Sequence, residues 1–162
     1  MRTVTSLITH KLITHKTRSK KMANPNVDII QRMYECFNRG DMDTIRQEIF
    51  AADLIWRLPG HHPLAGTKNG ADEVIAFFEQ LNKAGIQVDL SGIDAWGENT
   101  VVEVHRGHGE SNGAVLDAFN CTHYHIRDGK IADVQVYISD QHTVDQFFNA
   151  VYALKPIPDR LA

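Results

Sequence analysis

The sequence is poor in the residues that staple small secreted or metal-bound folds. Its 162 residues include only two cysteines, Cys36 and Cys121, without the CxxC spacing of a zinc knuckle and too few for a disulfide framework. Two reduced thiols in a cytoplasmic protein are expected. No run approaches the roughly 20 apolar residues that span a bilayer, so the chain is expected to be soluble, with no membrane attachment. Gly107 and Gly109 lack the following Lys-Ser/Thr pair of a phosphate-binding loop and read as hairpin glycines. Acids are missing from residues 1–22, which hold six of the 17 cationic residues. Residues 23–162 therefore keep 11 cations against 20 acids, a net −9. An acidic domain excludes nucleic-acid binding, which needs clustered cations to displace counterions from phosphate.

The basic leader carries a direct repeat, Leu7-Ile8-Thr9-His10-Lys11 followed by Leu12-Ile13-Thr14-His15-Lys16. Its Lys and His residues interrupt any apolar core that a secretory signal needs. The expectation is a disordered or non-native extension over 1–22, with Met22 as the start, one domain over 23–155 and a short tail over 156–162. That length suits a single core and a single pocket.

Asn24-Pro25 has the form of an N-cap and first helical residue, and Val27, Ile30, Tyr34 and Phe37 follow at helical spacing up to Gly40. Met42, Ile45 and Ile49 predict a second helix behind Asp41. A short strand over Leu54–Leu58 runs into a loop rich in proline and glycine, and a third helix spans Gly70 to Gly85 with Val74, Phe77, Phe78 and Leu81 inward. The period then falls to two: strands are predicted over 88–94, 100–106, 114–127 and 131–139. Ser111-Asn112-Gly113 and Asp128-Gly129 form the turns. Thr143 and Gln146 have capping-box spacing for a last helix through Phe147, Phe148 and Val151.

This order, together with Trp56, Pro59-Gly60, Pro63, Ala65-Gly66, Asp128-Gly129-Lys130-Ile131 and Tyr137 to Asp140, resembles the SnoaL-like polyketide cyclases within the NTF2-like, or ketosteroid-isomerase-like, superfamily. The resemblance covers about residues 25–152. It implies an α+β cone, a curved and mostly antiparallel sheet wrapped around the N-terminal helices, with an apolar pocket inside. It also implies an apolar small-molecule ligand and a homodimer paired through the outer sheet face, for which Val134, Val136 and Ile138 are the expected apolar row.

Seven of the nine histidines lie in the domain, and histidine is the side chain that exchanges protons near neutrality. Strand alternation puts His123 and His125 on one face with Phe119 and Cys121, and Gln135, Tyr137 and Ser139 together on the last strand. The resemblance places His123 at the family's histidine position and Tyr137 where the family has an aspartate acid/base. The expected catalytic set is then His123 as base and Tyr137 as donor, with His105 supplementing the base and Asp140 supplying a carboxylate. Trp56, Tyr34, Phe119, His125 and Gln135 are the expected ligand contacts. The same side chains serve equally as hydrogen-bonded core groups, because an unpaired buried donor costs about 1–3 kcal/mol. His123-x-His125 with His105 has a metal-like look, but the downstream glutamate of a cupin is absent. No metal and no cofactor are expected. The reading that results is a cofactor-independent enzyme moving a proton in an apolar carbonyl compound by cyclisation, isomerisation or dehydration. The alternative is a non-catalytic binding or assembly module.

Overall fold

The computed structural model describes residues 24–152; the leader and the tail set apart in the sequence lie outside that range. Helix α1 (Pro25–Arg39) opens where the Asn24 side chain accepts from the Asn26 N–H at 2.9 Å, and it ends at Gly40 in the left-handed region. Ile30, Met33, Cys36 and Phe37 form its buried face. A short turn, α2 (Met42–Thr44), is capped by Asp41 and widens into a π-helical turn over Ile45–Ile49. The second predicted helix is therefore only partly α-helical.

The chain continues through β1 (Phe50–Leu58), β2 (Gly66–Asn69), α3 (Ala71–Lys83), β3 (Gln87–Ala95), β4 (Thr100–Ser111), β5 (Ala114–Arg127), β6 (Lys130–Ile138) and α4 (Gln141–Val151). The strands form one six-stranded sheet in the order β2-β1-β6-β5-β4-β3. Only β1 and β6 run parallel. The β4–β5 and β5–β6 hairpins turn on paired positive φ angles, Asn112-Gly113 and Asp128-Gly129, as two-residue turns matched to the strand twist require. Register shifts at Leu90/Gly92, His125/Ile126 and Phe50/Ile55 bend the strands, as bulges do, and give the curved sheet of an α+β cone.

The sheet's inner face packs on α1 and α3 through a core that includes Ile30, Met33, Phe50, Trp56, Phe78, Tyr124 and Val134. A second cluster, with Ile86, Leu116, Val144, Phe147 and Phe148, lies under α4. Two expectations need correction. Residues 66–69 are a strand, missed because a four-residue polar edge strand shows no alternation and is held by backbone pairing to Ile55–Leu58. The last helix starts at Gln141, before Thr143, because the Asp140 carboxylate accepts from the Thr143 N–H (3.1 Å) and hydroxyl (2.7 Å). Asp140 is thus a cap at an exposed helix entrance.

The loop between β1 and β2 is fastened to α4. Asp145 accepts from the His61 N–H at 2.9 Å and from Gln141 at 2.8 Å, and Asn149 donates to the His61 carbonyl. Gly60, at φ +128°, fits between these groups: a Cβ there would lie 2.6 Å from Asp145 Oδ1 and from Gln141 Nε2, and 2.7 Å from the His62 ring. Gly60→Ala is expected to lower unfolding free energy by about 1–3 kcal/mol, read as a lower denaturant midpoint at unchanged slope. An unchanged midpoint would show that the loop is not pinned.

Candidate functional site

Inside the cone is a cavity of about 100 Å³. Phe37, Trp56, Phe77, Phe78, Val136 and Phe148 form apolar walls, and no Lys, Arg, Asp or Glu is among the lining residues. Polar groups gather at one place, where Tyr34 from α1, His105 from β4, and Asn120, Thr122 and Tyr124 from β5 face in.

The polar group is organised by Glu103, whose side chain is fully buried. Its carboxylate accepts from the Tyr34 hydroxyl at 2.9 Å and the Tyr124 hydroxyl at 3.3 Å. His105 Nδ1 stands 2.9 and 3.0 Å from its two oxygens. A buried carboxylate must be compensated by donors, and here they come from a helix and two strands. Glu103 and His105 reach the same interior because they are two apart on one strand. Burial, the facing Tyr124 phenol and the Glu103 charge push the Tyr34 pKa well above its ordinary range; burial and then Glu103 do the same to Tyr124. Both phenols are therefore neutral donors.

The Glu103 carboxylate accepts only, so the Nδ1 of His105 carries the hydrogen between them. In the neutral ring this leaves Nε2 as the lone-pair nitrogen. The tautomer is set from behind by the carboxylate, which also fixes the orientation of the ring. Asn120 Nδ2 lies 3.0 Å from that Nε2. Trp56 is 5 % exposed and meets Phe78 and Tyr124 edge to face, with no partner for its indole N–H among the described residues.

Helix α4 lines one side of the cavity through Val144 and Phe148, and the β1–β2 loop is bonded to that helix. His62 is buried and stacked on Phe148, with ring centroids 4.8 Å apart. Its Nδ1 accepts from the Leu64 N–H, and burial lowers its pKa. Lys68 donates to the Leu64 carbonyl and lies 5.0 Å over the Phe77 ring, its pKa lowered by burial.

Of the residues singled out in the sequence, Tyr34, Trp56 and His105 line the cavity. The structure does not bring His123 or Tyr137 to it. His123, His125, Phe119, Gln135 and Tyr137 lie on the outer face of the sheet, where His123 pairs with Gln135 and Cys121 with Tyr137. Val134, Val136 and Ile138, expected outside, point inward, with Val134 fully buried. The grouping of residues by face holds; the choice of face is reversed. On β6 the cause is the bulge: Ile126 pairs with Ile131 but His125 with Asp133, so Ala132 is an extra residue and the parity counted from the hairpin inverts. His105 points away from His123 and His125, so the three imidazoles do not converge.

Glu103, Asn120 and Tyr124 were not anticipated. The available signal was the charge on the other face of β5, where Asp117 and Arg127 mark the solvent side and so send Thr122 and Tyr124 inward. On β4, Val102 and Val104 made the outer face look like core while the inner face carries an acid and a histidine.

Residues 30–134 match the model of the SnoaL-like domain family. An uncharacterized protein of Mycobacterium tuberculosis is 27% identical over 126 residues, covering 76% of this chain and 95% of its own. Among solved structures, Bal32a from a soil-derived mobile gene cassette is 27% identical with a TM-score of 0.74, covering 78% of this chain and 98% of its own. An NTF2-like protein from Burkholderia xenovorans is 25% identical with a TM-score of 0.64, over 77% of this chain and 96% of its own. Sequence and architecture agree: the chain belongs to the SnoaL-like family of the NTF2-like superfamily.

Proposed function

We propose that the chain is a small cofactor-independent enzyme that moves a proton within an apolar, carbonyl-containing molecule, with His105 as the group that takes and returns it. The observation that carries this reading is the Glu103–His105 pair, which holds the ring by one nitrogen and directs the other to the lining of an enclosed apolar space. Such a base acts by general acid–base catalysis, worth typically 10²–10⁴-fold in rate. Tyr34 and Tyr124 hold Glu103 in place and stay neutral. The apolar walls favour a substrate with little charge, and the chemistry fits isomerisation, cyclisation or dehydration. Two free thiols, Cys36 and Cys121, suit a cytoplasmic setting; among the described residues no helix is long and apolar enough to cross a membrane.

We also infer that two copies pair through the outer face. Val104, Cys121 and Tyr137 form a cross-strand row with Phe119 beside it, and Val115, Phe119 and Tyr137 are 64%, 50% and 58% exposed. A shallow groove runs between them. Arg106 and Asp117 close a bidentate ion pair at its edge, at 2.7 and 2.8 Å. An apolar centre with a self-neutralised rim suits a second copy of the same surface.

Deuterium wash-in from D₂O at the carbon beside the carbonyl, followed by NMR over a panel of small cyclic ketones, tests the activity. His105→Ala is expected to lose about 100-fold or more of the exchange, whereas His123→Ala and Tyr137→Phe stay within about twofold. Loss on His123→Ala with His105→Ala unaffected would reverse the assignment; binding of the ketones with no exchange above buffer would establish a binding module instead. For the dimer, light scattering at micromolar concentration should give twice the chain mass, and Phe119→Lys should halve it with the circular dichroism unchanged. A monomeric parent protein contradicts the pairing.

A further inference from the structure

The Asn120 side chain is placed in a way that the Glu103–His105 pair does not require. His105 is already oriented by the carboxylate, yet the Asn120 amide covers its other nitrogen, Nδ2 to Nε2 at 3.0 Å, from a position in the cavity lining. With Nδ1–H directed at Glu103, the neutral ring offers a lone pair at Nε2, and the amide must present N–H to it. A ring protonated at both nitrogens would set N–H against N–H. The contact as placed is one that a neutral imidazole makes with this amide.

Space for the amide is left by Gly107, which lines the cavity beside Asn120. Its φ is not among the positive ones, so the backbone does not demand glycine there. A Cβ at 107 would lie 3.3 Å from Asn120 Nδ2, closer than side chains usually settle. Glycine at 107 thus keeps the amide free to sit against the ring and to turn.

We propose that Asn120 is the hydrogen-bond donor to the substrate's carbonyl oxygen, exchanging the His105 nitrogen for that oxygen before the proton moves; this rests on His105 being the base. Once the amide has turned to the carbonyl oxygen the Nε2 lone pair is free, the C–H bond beside the carbonyl breaks, and its proton forms the N–H bond at Nε2. The electron pair moves through the adjoining carbon–carbon bond onto oxygen, giving an enolate. The new Nε2–H then keeps the amide N–H on the enolate oxygen, where negative charge has appeared and a preorganised donor is worth most. Return of the proton to the same or another carbon restores the neutral ring and the resting contact. No oxidant or metal enters the balance. The substrate class that follows is a neutral ketone or enone with a C–H bond beside the carbonyl. A carboxylate substrate is disfavoured, because the lining holds no cation and the Glu103 charge lies directly behind His105.

The test uses the full chain with cyclohexanone and cyclohex-2-enone as probes. Asn120→Ala is expected to lower the maximal rate of deuterium exchange by about 100-fold and to change the half-saturating ketone concentration by less than threefold, with thermal unfolding close to the parent. In the protein without ketone, the ¹⁵N resonance of His105 Nε2 should be that of an unprotonated nitrogen and should move downfield in Asn120→Ala as its hydrogen bond is lost. Full exchange in Asn120→Ala while His105→Ala is dead overturns the role of Asn120 and leaves His105 as base. Full exchange in both overturns the two together. An Nε2 that carries the hydrogen in the parent protein, or one unmoved by Asn120→Ala, overturns the proposal without reference to any substrate.

Discussion

A carboxylate buried in an apolar cone is the constraint on which the site depends. Glu103 is 1 % exposed, and an ionised group at such depth persists only with partners on its oxygens, because its desolvation is far costlier than that of any neutral side chain. Its donors come from three elements: Tyr34 on α1, Tyr124 on β5 and His105 on Glu103's own strand. Meeting them sets where α1 crosses the sheet, keeps both phenols neutral and decides which imidazole nitrogen faces the cavity. One demand of burial thus supplies a structural tie and, in the proposed reaction, the orientation of its base.

The opposite end of the cavity is built on the same economy with a second acid. Asp145 on α4 gathers the His61 N–H and the Gln141 amide, and the loop so held stacks His62 on Phe148. The cavity wall includes aromatic rings whose centroids lie 5.2–6.3 Å apart, among them Trp56, Phe77 and Phe78. In the proposed reaction, the single polar pole of an otherwise apolar lining orients a molecule inside with its oxygen toward His105 and Asn120. Orientation of this kind is what converts a weak base into an effective one.

Much of the cone was legible in the sequence because its signals are local. Asn24-Pro25 and Gly40 bound α1, and Asn112-Gly113 and Asp128-Gly129 set the hairpins through backbone preference alone. The site was less legible because it depends on which face of each strand turns inward, and β4, β5 and β6 carry apolar residues on both. Phe119 and Tyr137 outside look no less like core than Leu116 and Ala118 inside. The extra residue at Ala132 leaves no mark in hydrophobicity, yet it inverts β6. Glu103 reads as a solvated acid until the two tyrosines, 69 and 21 residues away in the chain, are brought to it. Long-range pairing of this kind has no signature in a single sequence.

The central claim is that the chemistry belongs to the concave side of the sheet. Backbone and side-chain NMR spectra recorded during a cyclohexanone titration locate the ligand without any assumption about the reaction. The account predicts shifts concentrated at Tyr34, Trp56, His105 and Asn120, with His123 and Tyr137 unmoved. Shifts confined to Cys121, His123 and Tyr137, with His105 silent, would contradict it.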